Sequence, residues 1–379
     1  MKILVVAGEA SADLHVSHVM ERLAMRHPLQ LVGIGGRRLQ AMGLVPVSTP
    51  EKMAVIGLVE AVKKIRQTFR LLGEMELLAA RGKPDVAFLS DLPDFNLRLA
   101  PRLRAMGIPV VYYSAPQVWA WRSGRVHQMA KCIDRLLTLF PFEKKWYADN
   151  APTGLDVRDV GHPVVEQVPD LPYRPDPNLV AILPGSREGE WRALWPDLEG
   201  AAKILAAEFP QLRFEIPLAE TLRQNPWVRE RLNASPLGSR LTVLEIPSHE
   251  VLRRAKVAMV ASGTATLETA VVGTPMAVVY RVAPLSAFLF RHLVRYKGAV
   301  AMANLVHVGL GSEERVVPEL LQEQATPDRI AGAVREILTD PRRWEAQARR
   351  LSLTRNLLAS DALPSEAAAR EVESLLEAR

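Results

Sequence analysis

Residues 2–13 read KILVVAGEASAD, and this stretch decides the fold class. After the first lysine, five apolar residues follow one another without alternation, which is typical of a strand buried on both faces of a parallel sheet. Gly8 then permits a tight turn, and Ser11 or Asp13 can cap the helix that follows. This strand, turn and helix start predict an α/β unit whose helix N-terminus suits an anion or a sugar hydroxyl.

The alternation of apolar runs and helical segments continues through the first half of the chain. Strands are predicted at Ile3–Ala7, Leu31–Ile34, Val86–Leu89, Val110–Tyr113, Arg135–Thr138 and Val157–Val160. Helices fit between them, notably at Asp13–Arg26, Ile65–Arg81 and Leu97–Met106. Near-continuous apolar strands that alternate with helices predict a parallel sheet covered on both faces.

A second unit of the same kind follows a segment rich in proline. Residues 164–178 hold too many prolines for a helix or a central strand, so we interpret them as an interdomain linker. Alternation resumes with LVAILPGSREGE at residues 179–190, and further strands are predicted at Arg213–Pro217, Leu241–Leu244, Val257–Val260 and Met276–Tyr280. We expect two Rossmann-like domains facing across a cleft, at residues 1–165 and 166–345, followed by helices over residues 346–379.

Composition excludes several classes of protein. The chain of 379 residues is 48% hydrophobic and 24% charged, which is ordinary for a globular protein with two domains. Its one cysteine, Cys132, cannot form an internal disulfide or a cysteine-based zinc site, so we expect a reducing, cytoplasmic environment. No apolar stretch approaches the roughly 18 residues of a membrane span. The net charge of +6 comes mostly from scattered arginines, so we expect no nucleic acid partner.

Two carboxylates follow the strand predicted at Val86–Leu89, in the segment SDLPDFN of residues 90–96. Ligands of parallel sheets bind beyond the carboxyl ends of the strands. Asp91 and Asp94 are therefore candidates for a general base that accepts the proton of a hydroxyl group. The alternative is a role in capping the next helix, which we expect for one of the two.

The segment YSAPQVWAWR, residues 113–122, joins a strand to a basic helix. Aromatic faces stack on sugar rings, and Gln117 or Arg122 can hold hydroxyl groups or a phosphate. The alternative is a packed crossover loop with Trp119 and Trp121 in the core.

The turn that opens the second unit combines three groups that suit a diphosphate. Gly185 and Ser186 offer backbone N–H groups and a hydroxyl, and Arg187 adds a guanidinium at the same strand end.

A further strand of this unit runs into the segment ASGTATLE, residues 261–268. Its helix-start N–H groups and the hydroxyls of Thr264 and Thr266 suit a nucleotide phosphate. Glu268 can accept hydrogen bonds from the two hydroxyls of a ribose. The alternative for Glu268 is an ordinary capping box.

These segments in this order resemble the signature of the lipid-A-disaccharide synthase family. The matching pieces are Gly8–Asp13, Pro93–Asn96, Val118–Arg122, Pro141–Glu143, Gly161–Pro163, Leu183–Arg187, Ser262–Glu268 and Pro318–Gln322. The resemblance implies the two-domain GT-B fold, with a C-terminal helix crossing back to the first domain. It also implies inverting transfer of a 2,3-diacylglucosamine from UDP onto a 2,3-diacylglucosamine 1-phosphate, which forms a β-1,6 link and releases UDP.

The resemblance distributes the roles over residues of this chain. The catalytic candidates are Asp94, Asp91 and Glu9. The donor would be bound by Gly185, Ser186, Arg187, Ser262, Gly263, Thr264, Thr266 and Glu268. The acceptor would be bound by Ser11, Asn96, Gln117, Trp119, Trp121, Arg122 and Asn304.

We expect no metal and no cofactor besides the UDP-sugar substrate. There is no Asp-x-Asp motif, and the histidines are dispersed along the sequence at His15, His127, His162 and His307. Leaving-group charge would then be offset by Arg187 and by helix N-termini.

Acylated substrates imply contact with the anionic surface of the cytoplasmic membrane. The candidate is Met53–Met75, where apolar residues stand beside Lys63, Lys64, Arg66 and Arg70. The alternative is an amphipathic helix packed on the sheet. A homodimer stays open as a further association.

Two other classes of function compete with this interpretation. The first is another UDP-sugar-dependent GT-B enzyme, either a peptidoglycan-precursor transferase or a UDP-sugar 2-epimerase. The second is a non-catalytic protein that binds nucleotide sugars or lipids.

Overall fold

The computed structural model describes residues 1–49, 61–120, 122–281 and 298–378. The chain forms two compact units, one of residues 1–163 with 358–379 and one of residues 164–357. The predicted boundaries, at residues 165 and 345, compare with 163 and 357 in the structure.

The first unit contains a sheet of parallel strands in the order β3-β2-β1-β4-β5-β6-β7. Its strands are β1 (Lys2–Ala7), β2 (Gln30–Ile34), β3 (Val45–Ser48), β4 (Val86–Ser90), β5 (Val110–Tyr113), β6 (Arg135–Thr138) and β7 (Asp156–Asp159). Its helices up to residue 163 are α1 (Ala10–Ala24), α2 (Arg37–Ala41), α3 (Ala61–Gly82), α4 (Pro93–Ala105), α5 (Arg125–Cys132) and α6 (Pro141–Asn150). Strands β4, β5 and β6 are buried along their whole length, which explains the apolar runs of β4 and β5, while β6 buries Arg135 and Thr138 at its two ends.

The second unit repeats this architecture with the strand order β10-β9-β8-β11-β12-β13. Its strands are β8 (Asp176–Leu183), β9 (Arg213–Pro217), β10 (Leu241–Leu244), β11 (Ala255–Ala261), β12 (Met276–Tyr280) and β13 (Glu319–Leu321). Its helices are α7 (Val164–Gln167), α8 (Glu188–Glu208), α9 (Pro226–Asn233), α10 (Ser248–Leu252), α11 (Thr264–Val272), α12 (Met302–Val308), α13 (Pro327–Thr339), α14 (Pro341–Leu351) and α15 (Thr354–Leu358). Every pair of neighbouring strands is parallel, so the prediction of two Rossmann-like domains is confirmed.

The strand order of each sheet reverses at one point, and these points locate the ligand-binding edges. In the first sheet the reversal lies between β1 and β4, and in the second it lies between β8 and β11. Open α/β sheets bind ligands beyond the carboxyl ends of the strands at such a switch point.

The predicted linker is wrong at both ends. Val164–Gln167 forms α7, and β8 already begins at Asp176, so Pro177 lies in a central strand. The strand accepts this proline because its register with β11 shifts between Ala255 and Val257, where the ladder is irregular. Helix α4 also begins at Pro93 rather than at Leu97. Proline is tolerated in the first turn of a helix, because an N–H group there would have no partner within the helix.

The last helix, α16 (Pro364–Glu377), belongs to the first unit, as the resemblance implied. It packs against α1, where the Arg26 guanidinium lies 3.1 Å from the Glu366 carboxylate and 2.8 Å from that of Glu373. Arg135 of β6 is nearly buried and pairs with Glu371 at 2.8 Å. Ion pairs and apolar packing together fix the C-terminal helix on the first sheet.

Among the helices of the described residues, none is both long enough and apolar enough to cross a bilayer.

Candidate active site

The two polar segments of the first unit meet at the switch point of its sheet. Ala7, the last residue of β1, is paired with Ser90, the last residue of β4. The segments that follow these two strands, residues 8–13 and 91–96, therefore lie side by side. Gly8 permits this approach, because a Cβ there would lie 2.1 Å from Cγ of Leu92.

The turn after β4 is a strained stretch of backbone held by side chains. Asp91 and Leu92 both have left-handed backbones, with φ of 54° and 40°. The Asn96 amide donates to the carbonyls of Ser90 at 3.1 Å and Asp91 at 2.6 Å, and the Tyr112 hydroxyl donates to the Asp91 carbonyl at 2.6 Å. Asn96 is fully buried, so it holds this turn and does not present its amide for the predicted acceptor contact.

The two aspartates of this turn have different environments. Burial, and to a smaller extent the nearby negative charge of Glu9, raise the pKa of Asp91 to about 6. Asp94 is exposed, with 69% of its side chain accessible, and its Oδ1 pairs with Arg125 and, at 3.4 Å, with Arg122. Neither carboxylate caps α4, so the expectation that one of them is a helix cap is wrong.

The loop that follows β5 is tied to α6 by two hydrogen bonds. Trp119 Nε1 donates to the Glu143 carboxylate at 3.3 Å, and the Tyr147 hydroxyl donates to the Pro116 carbonyl at 3.1 Å. Burial raises the pKa of Glu143 to about 7. Trp119 is half-buried and Gln117 exposed, whereas Trp121 lies outside the described residues. Trp119 is therefore not fully buried in the core, and Gln117 faces solvent.

Helix α1 begins at this edge without a side-chain cap. The prediction that Ser11 or Asp13 caps it is wrong: Ser11 is exposed, and α1 carries no capping bond from a side chain in the described chain. Asp13 is buried and instead accepts hydrogen bonds from the N–H groups of Gly36 at 2.7 Å and Arg38 at 3.0 Å. It caps α2, and the N-terminus of α1 keeps its donors for another partner.

The switch point of the second unit brings together the turns after β8 and β11, which are neighbouring strands. In the first of these turns, the N–H groups of Ser186 and Arg187 donate to Oε2 of Glu190, at 2.9 and 3.3 Å. Gly185 has a φ of 116°, and a Cβ there would lie 2.2 Å from the Glu190 carboxylate. A carboxylate of the chain itself thus occupies the N–H group of Ser186, which was predicted to hold a diphosphate, together with that of Arg187.

The N-terminus of α11 is open. Its first residue follows Gly263, whose φ of 155° favours glycine, and no side chain of the described residues caps the helix. Gly263 and Thr264 are exposed and Ser262 is half-buried. Thr266 is fully buried and its hydroxyl donates to the Gly263 carbonyl at 2.8 Å, so the predicted phosphate contact of Thr266 is wrong. Three residues remain around an uncapped helix start, which is a ready anion site.

Glu268 lies one turn further along α11 and is not part of a capping box. Its Oε2 accepts a hydrogen bond from the hydroxyl of Ser248, the first residue of α10. Burial raises the pKa of Glu268, and the hydrogen bond from Ser248 offsets only part of this increase. The structure therefore rejects the capping alternative and adds a partner that the sequence did not single out.

Asn304 is fully buried in a network of its own. Its amide donates to Glu319 at 2.8 Å and to the Val317 carbonyl at 2.9 Å, and its oxygen accepts from the N–H groups of Val316 and Val317. Glu319 also accepts from the N–H of Ala301 at 2.9 Å. Since its amide is used internally, Asn304 stabilises this loop and offers no free group for the predicted acceptor contact.

Histidines that are dispersed in the sequence are partly brought together by the fold. The rings of His15 and His162 have centroids 6.3 Å apart, and burial lowers the pKa of His15 to about 4 and of His162 to about 3. Over the described residues, no three side chains of His, Cys, Asp or Glu are grouped as metal ligands.

Three residues of these sites were not predicted from the sequence, and Glu143 appeared there only at the end of a matching piece, without a role. Arg125 contacts Asp94, Glu143 holds Trp119, Glu190 occupies the amide groups of a turn, and Ser248 contacts Glu268. Only Glu190 carried a local signal, because it stands three residues after Arg187 as in a capping box.

Comparisons with known proteins agree with this architecture. A family model described as lipid-A-disaccharide synthetase matches residues 3–372. The chain is 40% identical to the lipid-A-disaccharide synthase of Myxococcus xanthus, over 99% of this chain and 97% of that one. It is 39% identical to that of Anaeromyxobacter dehalogenans, over 96% and 94%.

Among solved structures, the glycotransferase of kitacinnamycin is similar with a TM-score of 0.65 and 17% identity, and the likeness covers 98% of each chain. A likeness at this identity concerns the fold alone, whereas the sequence matches extend over nearly the whole chain. The chain belongs to the lipid-A-disaccharide synthase family, and it is a glycosyltransferase of that type.

Proposed function

We propose that this enzyme transfers a 2,3-diacylglucosamine from UDP onto a 2,3-diacylglucosamine 1-phosphate, with inversion, to form the β-1,6-linked lipid A disaccharide precursor and UDP. The observation that carries the proposal is a division of chemistry between the two switch points. Carboxylates lie at the switch point of the first sheet, and an uncapped helix start with the Glu268 carboxylate one turn further along the helix lies at that of the second. Inverting transfer needs a base for the acceptor and a site for the leaving diphosphate.

The second unit would bind the donor. The N–H groups at the start of α11, with Ser262, Gly263 and Thr264, would take the diphosphate. Thr264 and Glu268 are four residues apart and share one face of the helix, so a ribose at Glu268 can belong to the same nucleotide. Arg187, with 66% of its side chain exposed, would offset the charge of the departing UDP.

The first unit would bind the acceptor and supply the base, and Asp94 is our choice for that base. Its Oδ1 accepts from both arginines, and no described residue donates a hydrogen bond to Oδ2, which leaves that oxygen for the proton of the acceptor hydroxyl. Arg122 and Arg125 would bind the 1-phosphate of the acceptor. Asp91 is the reserve base and Glu9 the next candidate, because both lie at the same edge.

Peripheral association with the cytoplasmic membrane would bring the acyl chains of both substrates to the enzyme. Residues 53–60 of the proposed contact segment lie outside the described residues. On the part of α3 that is described, Leu71, Leu72 and Met75 are buried, while Arg66, Phe69 and Arg70 are exposed. One face of α3 therefore packs on the protein, and the other combines an exposed aromatic ring with positive charge, which suits an anionic lipid surface.

The experiment that tests the proposed function is a single-turnover reaction with UDP-2,3-diacylglucosamine and 2,3-diacylglucosamine 1-phosphate. We expect equimolar UDP and a disaccharide phosphate, detected by mass spectrometry, with the anomeric coupling of a β link in the NMR spectrum. Release of UDP with free monosaccharide would contradict the transfer.

The competing functions give different products in the same reaction. An epimerase would convert the UDP-sugar to its 2-epimer, a peptidoglycan-precursor transferase would require a prenyl-linked acceptor, and a binding protein would retain both substrates unchanged.

A further inference from the structure

Ser248 makes a contact that no part of the predicted site includes. Its hydroxyl donates to Oε2 of Glu268, and the two residues are on different helices, α10 and α11. Ser248 does not cap α10, whose N-cap residue is Pro247 without a side-chain cap bond. The hydroxyl is therefore committed to the carboxylate.

The remaining oxygen of Glu268 is available for a ligand. The structure records a hydrogen bond to Oε2 only, and among the described residues no donor contacts Oε1. Burial works against the negative charge of Glu268, while a hydrogen bond donated to the carboxylate favours it. A ligand hydroxyl would meet an oriented, charged acceptor as long as Ser248 supplies that bond.

Helix α10 is fixed independently of Glu268. Val251 and Leu252 are fully buried, and the hydroxyl of Thr274 donates to the Leu252 carbonyl at 2.8 Å. Ser248 is thus presented to Glu268 from a rigid support rather than from a free loop.

We propose that Ser248 is a positioning residue for the donor site, which orients the remaining oxygen of Glu268 toward the 2′-hydroxyl of the nucleotide and so sets the preference for a ribonucleotide. The inference rests on the proposed function, because it requires Glu268 to accept hydrogen bonds from the ribose. It goes beyond that function in naming the residue that orients the Glu268 carboxylate.

The test compares UDP with 2′-deoxy-UDP by titration calorimetry on the full chain. If Glu268 accepts a charged hydrogen bond from the 2′-hydroxyl, we expect the unmodified protein to bind UDP about tenfold more tightly than 2′-deoxy-UDP. In Ser248→Ala we expect UDP affinity to fall about five- to tenfold and 2′-deoxy-UDP affinity to change less than about twofold, because the lost contact is the one that the deoxy ligand lacks. A general loosening of the second unit would weaken both ligands equally.

Two further variants separate positioning from packing. Ser248→Thr keeps the hydroxyl and should keep the preference for UDP. Thr274→Val removes the bond that holds the other end of α10 without touching Glu268, and it should also keep that preference. If Ser248→Ala does not melt cooperatively, Ser248→Cys replaces it, since a thiol is only a weak donor.

The outcomes distinguish the inference from the proposed function. A preference that disappears in Ser248→Ala and persists in the other two variants supports the positioning role. A preference that persists in Ser248→Ala overturns that role and leaves the donor site intact. If the unmodified protein binds both nucleotides equally, or neither, the ribose contact of Glu268 is itself wrong, and the role of Ser248 falls with it.

Discussion

Asp91 is expected to weaken the folded state at neutral pH, and removing its charge should therefore stabilise the protein. Its pKa is raised by burial, and next by Glu9, from 3.8 to about 6. A carboxyl group whose pKa is raised on folding does not affect stability while it is protonated in both states. It destabilises the folded state at a pH at which the unfolded chain has lost the proton. The penalty is therefore absent below about pH 4, grows between about pH 4 and 6, and is complete above about pH 6.

The size of the penalty follows from the shift. A pKa difference of about two between the unfolded and folded states lowers the free energy of unfolding by about 3 kcal/mol at pH 8. The same two pKa values lower it by roughly half of this at pH 5. Asp91→Asn has nearly the same shape, and asparagine tolerates the left-handed backbone at this position. We expect this variant to gain up to about 3 kcal/mol in the free energy of unfolding at pH 8, and about half of that at pH 5.

The measurement is urea unfolding of the unmodified protein and of the variant at both pH values. Asp94→Asn is the matched control, because Asp94 is exposed and paired with two arginines, so neutralising it relieves no burial. A loss of stability in Asp91→Asn at pH 8, or a gain that is the same at both pH values, would refute the argument.

Three further predictions concern activity and membrane binding. Asp94→Asn should lower kcat by about 10²–10⁴ through loss of the base while UDP binding is retained; if Asp91→Asn loses activity instead, the two roles are reversed. Glu268→Gln should raise the donor KM about tenfold or more, on the scale of a charged hydrogen bond, and unchanged UDP affinity by calorimetry would contradict the ribose contact. Reversing the charge of Arg66 and Arg70 should release the protein from vesicles containing anionic lipid, as should high salt, which screens charges beyond a few ångströms; binding that withstands both would rule out the electrostatic contact.

Eleven of the thirteen described strands, the fold class and the positions of the site segments could be predicted from the sequence, whereas the short edge strands β3 and β13 were not predicted. Strands buried on both faces favour apolar residues at most positions, so β1, β4 and β5 stand out as nearly continuous apolar runs. Glycines and hydroxyl residues directly after such runs then indicate turns at the carboxyl edge of a sheet. This local chemistry requires no knowledge of the strand order.

Only the tertiary structure decided which polar groups in these segments are already used. Asp13 caps α2 across 23 residues, Ser248 and Glu268 are separated by 20 residues, and Asn304 is buried against Glu319. Such partners meet because of strand order and helix packing, and neither can be deduced from a single segment of the sequence. The sequence thus determined where the sites lie, and the fold determined which side chains remain available in them, because a buried polar group binds whatever partner packing brings to it.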